Sequence, residues 1–214
     1  MYQQVTDVIG PMSTRISRIP MGLKIAWTAW VLVWGPLYWK QYGAQNFLFF
    51  CDLGNILITF ALWMESSLIF SWQAVSLLGV QILYSLDLLG AFLFGKHLFG
   101  GTEYMFDLTI PLTIRLFGLY HLVVPPLLLW AVRRLGYDER ALKLQIITAC
   151  VLVPICHFWR PQFNVNWARG VRHEQHLISG WLYLLVYLIV AAIVVYVPTH
   201  FFLRRWTCRR ANVT

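Results

Sequence analysis

Between Trp181 and Val197 the chain runs for seventeen residues through Trp, Leu, Tyr, Val, Ile and Ala without a polar break. Counting Ser179 and Gly180 before it and Pro198 to Leu203 after it, the stretch reaches 25 residues. Roughly 20 residues of helix suffice to cross a hydrocarbon layer of about 30 Å. Five more runs have this character, at about 22–39, 46–64, 67–92, 112–132 and 141–158. One such run would suit the buried helix of a soluble protein, but six in one chain do not. Hydrophobic residues make up 59% of the chain and charged ones 12%, where soluble domains carry about a quarter charged. The surplus apolar surface needs lipid as its solvent. The expected fold is all-α: a polytopic membrane helix bundle of six transmembrane helices, with both termini cytoplasmic. It divides into an N-terminal segment 1–21, the bundle 22–203 and a basic tail 204–214.

The third run is the irregular one. Ser67–Gly95 is long for an upright helix and short for two spans with a turn, and Gly79, Asp87 and Gly90 mark a tilt, a break or a re-entrant turn. Residues 1–21 lack the compact apolar stretch and small-residue cleavage pattern of a signal peptide. Charge sets the orientation. With the tail inside, eleven of the seventeen Lys and Arg residues lie on the cytoplasmic side and five opposite, with Arg115 within a span. That is the bias of the positive-inside rule. Trp34, Tyr38, Trp39, Trp159, Trp167 and Trp206 fall at span borders, as interfacial aromatics do.

Ionisable groups are costly in hydrocarbon, so those within spans are the candidate site. Asp52 and Asn55 share a face of the second span, and Asp87 lies near the end of the third. Arg115 and His121 belong to the fourth, ahead of Pro125–Pro126; His157 ends the fifth, with Arg160 beyond it. In the six-span topology these strongly polar residues all fall in the outer half or at the midplane, and none in the inner half. They imply a polar pocket open to the extracytoplasmic side. His121 and His157 are its candidate acid–base groups. Asp52, Asn55, Asp87, Arg115 and Arg160 are its candidate binding groups, with Arg115 as counter-charge to Asp52 or Asp87. A purely structural ion pair between helices is the competing reading. The double proline removes two backbone donors, which should kink or widen the helix beside His121.

The 159–178 connection, WRPQFNVNWARGVRHEQHLI, reads as a lid over that pocket, or as an interfacial loop whose arginines meet lipid phosphates. Within it His173 and His176 are three apart, one residue short of the H-E-x-x-H zinc pattern. The 93–111 connection adds His97, expected near Asp87 or His157. Asn212–Val213–Thr214 has the glycosylation form but falls in the tail assigned to the cytoplasm. Cys51, Cys150, Cys156 and Cys208 form no CxxC or CxxCH, which excludes c-type haem attachment and a dithiol redox motif. No cofactor is expected. Haem on His121 and His157, which differ in depth, and metal on His173 and His176 are the readings left to test. Walker, dinucleotide and nucleophile-elbow motifs are missing, and the net charge of +8 sits at membrane borders, so nucleic acid is not a partner. Membrane lipids and other membrane subunits are the expected partners.

The stretch PLTIRLFGLYHLVVPPLLLWAVRR at 111–134, the LGYDERAL after it and the later NVNWARG resemble segments of bacterial multi-pass membrane-associated proteins that carry no assigned activity. The likeness is confined mainly to residues 111–170. It implies a bacterial inner-membrane setting and makes Arg115, His121 and the double proline parts of a shared pattern, but it brings no catalytic roles. Three classes remain: a membrane subunit or small-solute or lipid-handling protein, an enzyme acting on a lipid or isoprenoid through His121 and His157, and a small carrier or permease component.

Overall fold

The computed structural model describes residues 18–171 and 173–211. The readings made above for residues 1–17, for Arg172 and for the triplet 212–214 fall outside them. All regular secondary structure among the described residues is helical, with no strand among them.

Helix α1 spans Met21–Tyr42, and a 3-10 turn Ala44–Leu48 leads into α2, Phe50–Met64. Helix α3, Ser67–Phe94, is a single uninterrupted element of 28 residues. At 1.5 Å per residue it is about 42 Å long, so it must tilt or project beyond a hydrocarbon layer. Helices α4, Leu112–Phe117, and α5, Tyr120–Leu135, form one broken rod. Helix α6 spans Arg140–Phe158. The last rod joins α7, Gly180–Val190, through a π turn, Ala191–Tyr196, to α8, Val197–Ala211. Helical rods thus stand at all six predicted spans. Four are long and apolar enough to cross a membrane: α3, the α4–α5 rod, α6 and Gly180–Cys208. Two fall short of that measure. Helix α2 is apolar but has only 15 residues. Helix α1 has the length, but its four tryptophans, two lysines and a glutamine lower its hydropathy.

Helix α3 is the spine, packed against α2, α5 and α6. Its Phe70, Ala74 and Val75 are fully buried, against Ile58, Leu62 and Leu128 of the neighbours. Lipid tails are as apolar as leucine, so burial alone does not drive such helices together; close packing and polar links do. Ala61, Ala74, Ala131, Ala141 and Ala149 are buried in this core, where small side chains let backbones approach. Outward-facing Leu, Ile, Val and Phe residues are exposed on every rod.

Polar links gather at the two ends. At one end Lys24, almost fully buried, pairs with Glu65 at 2.8 Å. There too Tyr137 and His200 share a hydrogen bond of 2.6 Å, and Arg204 meets Glu139 at 2.8 Å. At the other end lie the 43–49, 95–111 and 159–179 connections. Asn166 joins two of them, accepting from the Phe50 amide at 3.0 Å and donating to the Leu48 carbonyl at 2.7 Å. Two expectations are corrected here. Lys24, Gln145 and His200 lie within predicted spans and are buried, so polar residues are not confined to one half. Each has a polar partner: Lys24 has Glu65, His200 has Tyr137, and Gln145 Oε1 accepts from the Trp72 indole at 2.9 Å. Trp34 and Tyr38 do not face the headgroups as interfacial aromatics would, since both are buried in the bundle. They belong to an inward stripe of Trp27, Trp30, Trp34 and Tyr38, whose neighbouring rings lie 5.1–5.4 Å apart.

Candidate functional site

Asp52 stands in the first turn of α2, where the helix N-terminus favours a negative charge. Its carboxylate is buried. Oδ1 accepts from the Tyr120 hydroxyl at 2.8 Å and Oδ2 from the Asn46 amide at 2.5 Å. Both donors are neutral, and among the described residues no cation pairs with it. The Tyr120 ring stacks on His121 at 4.0 Å and lies 5.5 Å from Trp30. On its other face His121 stacks on Tyr84 at 3.9 Å, and its Nδ1 donates to Gln81 Oε1 at 2.5 Å. The Tyr84 hydroxyl meets that of Tyr104 at 2.7 Å. Asp52 and His121 therefore belong to one chain of contacts that passes through Tyr120.

This cluster contains more polar capacity than its contacts use. Both amide atoms of Asn55, Nε2 of Gln81 and Nε1 of Trp34 are buried without a partner among the described residues. Each residue is at most 1% exposed. An orphaned buried polar atom costs about 1–3 kcal/mol, and several on residues linked to Asp52 through Tyr120, His121 and α2 point to a missing companion.

Arg115 is not the counter-charge expected of it. Its Nη1 donates to the Met105 carbonyl at 3.2 Å, and its charge acts on Asp107 in the same connection. The loop can come this close because residue 118 is glycine. A Cβ there would run into the Tyr104 hydroxyl and stand 2.8 Å from Met105 Sδ. The helix breaks at this point, between α4 and α5, and not at Pro125–Pro126, which lie inside α5. At the break the bonding tightens to 3-10 type, with the amides of His121 and Leu122 reaching back to the carbonyls of Gly118 and Leu119.

Asp87 is turned to another task. Oδ1 accepts from the amides of Phe99 and Gly100 at 2.6 and 2.8 Å; Oδ2 accepts from Thr102 and, at 3.2 Å, from His97. Successive glycine-rich amides make a ready concavity for an anion, and the protein's own carboxylate fills it. Asp87 is therefore the post around which residues 95–102 are wound. Of the two neighbours expected for His97, it takes Asp87.

His157 is buried in another region. Its Nδ1 donates to the Ala168 carbonyl at 2.8 Å. Among the described residues no hydrogen bond or ring contact joins it to His121, so the two do not form a directly bonded acid–base pair. Arg160 donates to Gln45 Oε1 at 2.9 Å, tying the 159–179 connection to the turn before α2. That connection covers His157, while the Asp52 cluster is capped by Asn46 and by Tyr104 and Met105. Beside His157 lies a recess of about 440 Å³ bounded by Arg169, Glu174, His176, Gly180 and Trp181. His176 lines it and His173 does not. Among the described residues no three His, Cys, Asp or Glu side chains gather as a metal site.

Tyr120, Tyr84 and Gln81 escaped the sequence reading. Their signal was present: Tyr120 adjoins His121, and the tryptophans of α1 recur at helical spacing on one face. No protein-family model, no curated protein and no solved structure matches this chain.

Proposed function

We propose that this chain is a multi-pass integral protein of the cell membrane, with both termini cytoplasmic, that holds a small cationic solute at Asp52. The resemblance noted above supports a bacterial inner membrane as the setting in this reading. One observation carries the reading: Asp52 is a buried carboxylate whose direct partners, Tyr120 and Asn46, are both neutral. A charge in that position is ordinarily paired. Had Arg115 neutralised it, an anionic or neutral solute would have been the better fit. With Arg115 committed to Met105, the missing charge is positive. Trp30 and Trp34 pack on the Tyr120 ring that reaches Asp52, aromatic rings attract cations, and Asn55 and Gln81 have unused amide atoms for polar contacts.

The enzymatic reading loses ground because His121 and His157 do not meet. Small-solute handling, as a carrier component or as a subunit that senses its ligand, takes its place. The test is equilibrium dialysis and thermal denaturation of the purified protein against choline, spermidine, tetraethylammonium, sodium and potassium. At least one cation should bind and raise the melting temperature of the parent protein but not of Asp52→Asn, which keeps the shape of the side chain. A panel that affects both proteins equally, or neither, would return Asp52 to a structural role.

A further inference from the structure

The recess beside His157 is separate from the Asp52 cluster and has a different chemistry. Three kinds of group that favour anions converge on it. The first is Arg169, whose Nη1 donates to the His157 carbonyl at 3.4 Å, whose Nη2 pairs with Glu174, and whose Nε is buried without a partner among the described residues. The second is the histidine pair: His157, 7% exposed, and His176. Because His157 Nδ1 is engaged with a carbonyl, its other ring nitrogen is left for the recess. The third is the start of α7. Ser179 caps that helix by accepting from the Leu182 amide, so the amides of Gly180 and Trp181 precede the helix's own hydrogen bonds. Gly180 keeps the space open, since a Cβ there would stand 2.9 Å from His157 Nε2.

An anion already occupies part of this arrangement. The Glu174 carboxylate lies on Arg169, and that bond holds it below the usual carboxylate range. Its side chain is 43% exposed, so it can swing away into solvent. The recess also continues into an apolar surface. Trp181 is 70% exposed and Leu185, one turn further along the same face, is 56% exposed. An amphiphile whose head entered the recess would find α7 ready for its chain.

We propose that this recess binds the phosphate headgroup of an anionic lipid, with the phosphate on Arg169, His157 and the first turn of α7 and an acyl chain along Trp181 and Leu185. Glu174 is the internal anion that the phosphate displaces. The site does not depend on the reading of Asp52.

The test is calorimetric titration of the full chain in mild neutral detergent. The probes are dioctanoyl phosphatidylglycerol, dioctanoyl phosphatidylcholine and inorganic phosphate. Phosphatidylglycerol should bind saturably, at least tenfold more tightly than phosphatidylcholine, with inorganic phosphate a poor competitor. Arg169→Gln and Gly180→Ala should each weaken it at least tenfold. Glu174→Gln should strengthen it severalfold, which a merely structural Arg169–Glu174 pair would not produce. Equal binding of the two lipids would reduce the recess to an apolar surface and overturn the proposal. Full competition by inorganic phosphate would assign the site to the free ion and overturn its lipid part. Weaker binding in Glu174→Gln would remove the displacement step, and this variant still decides the matter if Arg169→Gln fails to fold.

Discussion

The hydroxyl of Tyr120 reaches Oδ1 of Asp52 at 2.8 Å, so a helix that begins after a break is fastened to the first turn of another. That contact turns the break between α4 and α5 from a weakness into a joint. Tyr120→Phe should cost about 1–3 kcal/mol, the range for losing a buried hydrogen bond to a charged or strongly polar group. Asp52→Asn should cost less, because the amide oxygen still accepts from Tyr120 and Asn46 can flip its own amide to accept from the new N–H. A double-mutant cycle read by denaturation in detergent should show the two substitutions to be coupled; strict additivity would mean that they do not share the bond.

Asp87 should behave as a structural post. Asp87→Ala removes the acceptor for two backbone amides, one hydroxyl and one imidazole. A loss of about 3 kcal/mol or more is expected. Amide exchange at Phe99 and Gly100 should accelerate while exchange in the middle of α3 stays slow. Uniform acceleration along the chain would count against so local a role.

Glu65 ends α2 with φ +49° and accepts from the Arg18 amide at 2.9 Å and from Lys24 at 2.8 Å. Glu65→Gly keeps the backbone at ease but leaves the buried Lys24 ammonium without this carboxylate, at a cost of about 3–5 kcal/mol. Adding Lys24→Met should restore much of the lost melting temperature. No recovery would show that the carboxylate matters through the Arg18 and Ile19 amides instead.

The start of α6 gives a pH signature. Asp138 accepts from the Arg140 amide at 3.0 Å and pairs with its guanidinium at 2.7 Å, which holds its carboxyl below the usual carboxylate range. A group whose value is depressed on folding stabilises above its ordinary value and loses that effect as the pH falls through the folded one. Asp138→Ala should therefore lower stability by about 1 kcal/mol near neutrality. The gap between variant and parent should close as the pH drops below the carboxylate range. A gap independent of pH would mean that Asp138 acts by shape alone.

Reporter fusions after Lys40 and Ala168 should map to the outer side, and those after Glu65, Tyr137 and Arg210 to the cytoplasmic side. Ala168 and Arg210 on one side would end the six-span arrangement and the cytoplasmic placement of the termini.

Hydropathy made the rods legible because it is a sum over many residues. The predicted run 67–92 appears as Ser67–Phe94 and the run 141–158 as Arg140–Phe158. Partner choice is different, since it depends on a few atoms brought together by loops. Arg115 and Asp87 look complementary on neighbouring spans, yet each takes its hydrogen bonds from the 95–107 connection instead. A clue was present in the run His97-Leu-Phe-Gly-Gly-Thr102, whose glycines suit a backbone that folds around an anion. Trp34 and Tyr38 were misread for a related reason. An aromatic near the end of a span looks interfacial until its spacing from Trp27 and Trp30 is counted, and that spacing places it on the inward stripe.

The π turn at Ala191–Tyr196 works like a key cut one notch off phase. Leu184 and Leu188 face the bundle in α7, and an unbroken α-helix would carry their stripe through Val195 to Phe202. From the last residue of the turn onward it is Tyr196, His200 and Leu203 that face inward, each one position later, while Phe202 is 54% exposed. One residue corresponds to about 100° of helical rotation. Deleting a single residue from this turn would leave the rod equally apolar and nearly as long, yet swing His200 away from Tyr137 and Arg204 away from Glu139. The handedness of that clasp is thus stored in a surplus residue some 6–12 Å away along the axis, at about 1.5 Å per residue.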